Sequence, residues 1–438
     1  MISEIPWRAP QDCFAALMPG PHLAFLDSAA SGDARSRFSY ICIDPFKLLR
    51  GAHLGLLAEE LARHTATPGP LPFTGGAVGF FSYDLGLGLE PVASRHGNPM
   101  NLPDMNLPDM AIGFYDTLIG FDHAARRCWL IVGERAGEDS AARAGALLAR
   151  LAQNPAPAPL PKLHWQPDMG RDDYIAQVER ILAYIRAGDI YQANFTLRHT
   201  APRPAKLDPA SLYLALRAVS PAPFAAYLDC GEGLALLSAS PERFISLSPG
   251  GEIETRPIKG TRPRHADPQR DSALAAELAQ SVKDRAENLM IVDLLRHDIG
   301  RVAQIGSVRV PELFKVESFA SVHHLVSSVT ARLRPGLGAL DLLRATLPGG
   351  SITGAPKIRA MQIIDELEPC RRGPYCGIIA WIGFDGAMDS SIVIRTLIVT
   401  PTHVLMQAGG GIVADSQPDA EYEEMRVKAS PMLGVCGG

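Results

Sequence analysis

The chain has 438 residues, 47% hydrophobic and 20% charged, with 42 Lys and Arg against 47 Asp and Glu for a formal net charge of −5. This is globular composition, enough for two or three domains of roughly 150 residues or for one large layered unit, and its mildly acidic balance speaks against nucleic-acid binding. Its 7 cysteines lack CxxC spacing and no apolar stretch nears the ~18 residues of a membrane span, so neither a zinc knuckle nor a disulfide framework is indicated and a cytoplasmic chain without signal peptide or membrane anchor is expected.

In chain order, FSYICI (38–43) and RRCWLIVG (126–133) alternate as strands, and GGAVGFFSYDLG (75–86) reads as a glycine-punctuated strand. NLPDM stands in tandem at 101–105 and 106–110, a small duplication expected in a surface loop, and Ala136 to Leu151 reads as an Ala/Leu-rich helix. The clearest seam is AQNPAPAPLPKLHWQPDMG (152–170), whose prolines deny helix and ladder hydrogen bonds. It separates an N-terminal region, 1–155, expected to contribute strands, from a Pro-rich linker, 156–170, and a C-terminal region, 171–438. There RDDYIAQVERILAYIRAG carries the apolar stripe Tyr174, Val178, Ile181 and Ile185, stopped by Gly188, and DIYQANFTLRHT alternates as a strand. Further strands are predicted at 224–228, 234–239, 378–384, 391–399 and 403–408, and helices at 271–296, 339–346 and 355–367. The elements do not repeat as βαβ units, so an α+β fold is expected, with large, mostly antiparallel sheets and helices outside them.

LPGGSITGAPK (347–357) is not a nucleotide-binding P-loop: Ala355 and Pro356 separate Lys357 from the last glycine, and Ile358 follows it. Its glycines and the helix start after them still suit an anion. His323 and His324 read as donors rather than metal ligands.

Four constellations carry chemistry. On a helix over 271–296, Leu274, Leu278, Val282, Leu289 and Val292 form an apolar stripe, with Asp284 and Glu287 on the other side one turn apart; a solvated polar face would read the same way. In SQPDAEYEEMRVKASPM, Pro418 suits a helix start, and Glu421, Glu424 and Lys428 stack on one face. Just before it, Gly409, Gly410 and Gly411 either relieve packing or let the backbone approach a ligand and offer N–H groups to a carboxylate. Two carboxylate-bearing helices suit one hard cation such as Mg²⁺. In PIKGTRPR the Pro-bounded turn is either a solvated surface turn or a rigid mount for the Lys259 amine. In SPERF, Glu242 ends a strand, and Arg395, in the apolar strand SSIVIRTLIV, should meet an anion because burying it alone is costly. Such a site suits a small substrate with more than one carboxylate.

From Gly188 to Pro431 the segments GDIYQANFT, SPERF, RPIKGTRPR, DRAENLMIVDLLRHDIGR, SVHHLVSSV, LPGGSITGAPKIRAM, RGPYCGIIAWIGF, IVIRTL, AGGGIVADS and EYEEMRVKAS resemble, in order, the chorismate-utilising enzyme family. The N-terminal YICIDPF and GGAVGFFSYDLG resemble it too. The resemblance implies one intertwined unit, a two-layer antiparallel β-sandwich flanked by helices, with chorismate as substrate and Mg²⁺ as cofactor. Lys259 stands where the branch that aminates chorismate at C2 usually has alanine. The chain is therefore more similar to the branch that aminates at C4. There the resemblance implies that lysine attacks C2 with loss of the C4 hydroxyl, ammonia adds at C4, and release of lysine leaves 4-amino-4-deoxychorismate. Amination at C2 with elimination of pyruvate is the alternative. Gln192 stands where water-adding branches carry a lysine base, a task glutamine cannot perform.

By the same resemblance, Glu287 and Glu424 would ligate Mg²⁺, with Asp284 and Glu421 supporting through water. Tyr375 and Arg395 would hold the pyruvyl carboxylate, and Gly409, Gly410 and Gly411, with the cation, the ring carboxylate. His324 would approach the departing C4 oxygen, and Glu242 would be the acid–base partner of Lys259. Ser351, Thr353, Lys428 and Gln192 would complete the pocket. Mg²⁺ and Arg395 are expected to depress the Lys259 pKa, with Glu242 opposing. The chain carries no glutaminase signature, so ammonia is expected from a separate glutamine amidotransferase subunit. FLDSA (25–29) resembles part of the family's tryptophan-binding pocket.

Overall fold

The computed structural model describes residues 1–18, 20–30, 35–96, 107–319 and 322–436; residues 101–106 of the tandem NLPDM lie outside them. Two antiparallel sheets dominate. In the 12-stranded sheet, Ile2–Ile5, Arg127–Val132, Thr117–Asp122, Phe38–Cys42 and Ala24–Asp27 continue into Phe224–Asp229, Ala235–Ser240, Thr396–Val399, His403–Ile412, Gln192–Pro202 and Gly354–Ala355. In the 10-stranded sheet, Ile258–Pro263, Val322–Arg332, Glu252–Thr255, Arg243–Leu247, Met388–Ile392 and Ile378–Gly383 continue into Gly76–Phe81, Met110–Tyr115 and Lys47–Gly51. Strands from before the Pro-rich seam thus complete both sheets, with Ala225 opposite Asp27 in one and Ile378 opposite Phe81 in the other.

Period-2 alternation divides the core. In the larger sheet Ala24, Tyr40, Ala226, Leu228, Leu236, Ile398 and Leu405 face the smaller sheet's Val78, Phe80, Tyr115 and Ile379, while Ile112, Ile245 and Ile382 line that sheet's other face. The larger sheet's Phe25, Ile41, Tyr227, Leu237, Leu397 and Met406 pack beneath the helices on its outer face, with Tyr174, Val178 and Ile181 of the helix Arg171–Arg186. A sheet covered on both faces needs near-continuous apolar strands, and each fully buried side chain of this size contributes about 1.5–3 kcal/mol.

Three element boundaries differ from expectation. The segment 75–86 is a strand, Gly76–Phe81, followed by a helix, Tyr83–Leu89, because the Ser82 hydroxyl accepts the Leu85 N–H at 2.9 Å and caps it. The segment 271–296 is two helices, Pro268–Gln280 and Val282–Gly300. Ser281 leaves helical geometry (ψ 109°) and its hydroxyl accepts the Asp284 N–H at 3.2 Å. The single apolar stripe therefore does not exist. Val282 is 84% exposed, and the second helix buries Asn288, Ile291, Val292 and Leu295 instead. Finally, 391–399 is not one strand. Met388–Ile392 belongs to the smaller sheet and Thr396–Val399 to the larger, and the chain crosses between them at Arg395, whose φ is 49°.

Candidate active site

A cavity of about 770 Å³ gathers Glu242, Lys259, Asp284, Glu287, His324, Ser351, Tyr375, Arg395, Gly409, Gly410, Gly411, Glu421, Glu424 and Lys428. Residues spread over the C-terminal half of the chain thus meet at one place.

Lys259 lies on the strand Ile258–Pro263 at the edge of the smaller sheet, rather than in a turn. It pairs with Leu325, and Thr261 pairs with His324; the register shifts between them at Gly260, whose φ is +74°. A Cβ on Gly260 would come within 2.8 Å of both Asp284 Cγ and Leu278 Cδ1, so only glycine fits this bulge. The bulge mounts Lys259 and His324 on adjacent strands. His324 Nδ1 shares a hydrogen bond with Thr261 Oγ1 at 3.0 Å. Its neighbour His323 is buried and bonded to Ser318 and Asp271, which accounts for it structurally.

Burial holds the Lys259 amine below its ordinary pKa, with Lys428 helping and Glu242, Glu287 and Glu424 opposing. The assisting protein cation is Lys428, not the expected Arg395. Burial also pushes the Glu242 carboxyl up, opposed by Lys259 and by a hydrogen bond from Ser351. The same desolvation moves this amine and this acid toward their neutral forms, which suits a nucleophile beside a proton donor.

The acidic groups come from two helices, Val282–Gly300 and Pro418–Gly434. Burial raises the Glu287 carboxyl, and Asp284 and Glu421 add repulsion while Lys259 and Lys283 oppose. Burial likewise raises Glu421, with Glu424 adding to it, although Ser416 Oγ donates to Glu421 at 2.6 Å. For Glu424 burial is outweighed by Lys428, 2.7 Å away, and its pKa falls. Asp284 is paired with Arg262 at 3.2 Å. The carboxylates face one another without converging, and no three metal-ligating side chains meet among the described residues. Oxygen donors that repel one another across a gap suit a hard cation that keeps part of its water shell.

Arg395 sits at the crossing between sheets and is exposed into the cavity, not buried in a strand. It has no ion-pair partner among the described residues, and desolvation alone lowers its pKa. An arginine presented in this way is a ready receptor for a carboxylate. Tyr375 is buried against the same cavity, its hydroxyl kept protonated as a donor by burial.

The glycine run does not follow the strand His403–Ile412 but belongs to it, with Gly409, Gly410 and Gly411 opposite Thr196, Phe195 and Asn194. A Cβ on Gly409 would lie 2.0 Å from the Phe195 carbonyl oxygen. Pairing with Thr396–Val399 on the other side ends at Met406, so the glycine backbone opens to the cavity there. The Lys428 ammonium donates to the Gly409 carbonyl at 3.0 Å.

Two expected residues do not line the cavity. The Thr353 hydroxyl donates to the Gly349 carbonyl at 2.9 Å, which turns it inward. Gln192 is fully buried behind Gly411, and neither amide atom has a hydrogen-bond partner. Conversely, Asn194 and Lys283 line the cavity although neither was expected. Asn194 lies two residues beyond Gln192 on one strand face, a spacing visible in the sequence, whereas Lys283 was hidden by the helix break.

The chain matches the chorismate binding enzyme family over residues 29–434. Over 99% of its length it is 46% identical to aminodeoxychorismate synthase component 1 of Klebsiella aerogenes, covering 98% of that protein. It is 44% identical to anthranilate synthase component 1 of Thermus thermophilus, over 85% of this chain and 79% of that one. The crystal structure of anthranilate synthase component I from Streptococcus pneumoniae superimposes with a TM-score of 0.81 at 33% identity, covering 92% of this chain and 93% of that one. A family match spanning both sheets and every wall of the cavity leaves one conclusion: this chain belongs to the chorismate binding enzymes.

Proposed function

We propose that this protein aminates chorismate at C4 to give 4-amino-4-deoxychorismate, with ammonia supplied by a glutamine amidotransferase partner. Relatives of both names occur at similar identity, 46% and 44%, so identity alone does not separate C4 from C2 amination. The observation that carries the reading is Lys259: a desolvated amine facing the cavity, next to a carboxyl whose burial favours its protonated form.

In this reading Arg395 and Tyr375 hold one substrate carboxylate, and the glycine strand lies along the other. The neutral Lys259 amine forms a bond to C2, the ring double bonds shift, and the C4–O bond breaks. Glu242 delivers the proton with which the hydroxyl leaves as water. Ammonia then bonds to C4, the double bonds shift back, and the C2–N bond to Lys259 breaks, returning a proton to Glu242 as the extra ammonium proton is lost. Glu287 and Glu424 would hold Mg²⁺, with Asp284 and Glu421 behind them. When bound, the ion supplies positive charge at the ring carboxylate. Gln192 offers no base to activate water.

The test is product identification from chorismate, Mg²⁺ and ammonium. The expected product becomes 4-aminobenzoate only after a lyase is added, and intact-protein mass spectrometry shows an adduct that Lys259→Ala lacks. Anthranilate fluorescence without lyase, or parent-like turnover by Lys259→Ala, refutes the C4 reading.

A further inference from the structure

Arg372 is 1% exposed and every arm of its guanidinium is engaged. Nε donates to Glu368 Oε2 at 2.9 Å and Nη2 to Glu368 Oε1 at 2.7 Å. Nη1 donates to the Ile352 carbonyl at 2.7 Å, Nη2 also to the Asn194 carbonyl at 2.6 Å, and the guanidinium lies 4.7 Å from the Tyr83 ring centre. Glu368 in turn accepts from the Thr196 N–H at 3.0 Å and its hydroxyl at 2.7 Å. A buried ion pair is a poor stabilising device, since an apolar pair often serves as well. An apolar pair, however, cannot donate to two carbonyls held apart.

Those carbonyls belong to two walls of the cavity. Asn194 lines it from the strand Gln192–Pro202, and Ile352 and Ser351 line it from the turn Gly350–Ile352. Ser351 lines the same cavity as Glu242 and Lys259. The Asn194 N–H donates to the Thr353 carbonyl at 2.7 Å, closing the joint between the walls.

We infer that Arg372, oriented by Glu368, is a positioning residue: it locks the Asn194 wall to the Ser351 turn and so fixes the shape of the cavity in which Glu242 and Lys259 stand. It touches no substrate. The inference rests on the proposed catalytic roles of Lys259 and Glu242, but not on which carbon is aminated.

Arg372→Lys keeps the charge but not the fork. Glu368→Gln/Arg372→Met removes both charges while glutamine can still accept from Thr196. Chorismate consumption, product identity and melting temperature are measured for parent and both variants. The expected result is a fall in kcat of about tenfold or more, because displacement of a reacting pair by a fraction of an ångström is amplified in rate. KM for chorismate stays within about threefold, because Arg395 and Tyr375 bind the substrate, and the double variant melts near the parent. Parent-like kcat in either folded variant overturns the inference. So does a rise in KM that accounts for the loss, or a fall in activity that merely follows the melting temperature in both variants. If the parent makes anthranilate, the C4 reading fails while the kcat and KM outcome still decides the role of Arg372.

Discussion

At the residue scale, the proposed working unit is an amine and an acid that share one desolvated corner. The ionised fraction of Glu242 raises the pKa of Lys259, so Glu242→Gln, which removes that fraction, should move the amine further below 10.5. More of it is then neutral at about pH 8, and an amine-directed reagent should label Lys259 faster than in the parent, as read by peptide mass spectrometry. Turnover should fall about 100-fold at the same time, for want of the proton that the leaving hydroxyl needs. Unchanged labelling would mean that the two groups are not coupled, and unchanged turnover would remove Glu242 from the chemistry.

At the element scale, a strand bulge and two helix ends aim the groups. Gly260 holds the bulge at a φ of +74° with Asp284 and Leu278 against it. Gly260→Ala should cost about 1–3 kcal/mol in chemical denaturation and lower turnover by displacing Lys259. Parent-like stability would show that the bulge tolerates a side chain. The acidic helices make a separate prediction. Glu287→Gln and Glu424→Gln should each weaken Mg²⁺ binding by calorimetry about tenfold or more, with a matching rise in the Mg²⁺ needed for turnover. If both variants keep the parent's Mg²⁺ dependence, the cation is held elsewhere.

At the scale of the whole molecule, the chain before the Pro-rich seam is built into both sheets, so cutting the seam should not release it. A site-specific protease sequence inserted after Asn154, in an exposed stretch, should allow cleavage to two fragments that stay together in size-exclusion chromatography and keep turning over chorismate. The fragment from 155 onward, expressed alone, should aggregate. Phe224–Asp229 and Ile378–Gly383 would then present unpaired apolar edges where Ala24–Asp27 and Gly76–Phe81 now pair. Separation on cleavage, or a soluble and active C-terminal fragment, would show that the two halves are independent.

Local patterning and motif chemistry made part of the fold and of the site legible along the chain. The strands expected at 224–228 and 234–239 are Phe224–Asp229 and Ala235–Ser240, the helices expected at 339–346 and 355–367 are Ala339–Thr346 and Lys357–Leu367, and Lys259, Glu242 and the acidic pairs stand out as residue types that suit a cation and a dicarboxylate. The rest depends on contacts between distant parts of the chain. The apolar run 391–399 shows no break, because both of its halves are buried; that they enter different sheets, with Arg395 at the crossing, depends on partners far along the chain. Ser281 ends a helix by a hydroxyl bond that periodicity does not register. Thr353 is turned inward by a carbonyl four residues before it, and Gly409 to Gly411 lie in a strand because Asn194 to Thr196 lie beside them. Arg372 opens the RGPYCGIIAWIGF segment, but nothing there shows its role, because its partners, Asn194, Ile352 and Glu368, meet only once both sheets and the helix ending at Leu367 are in place.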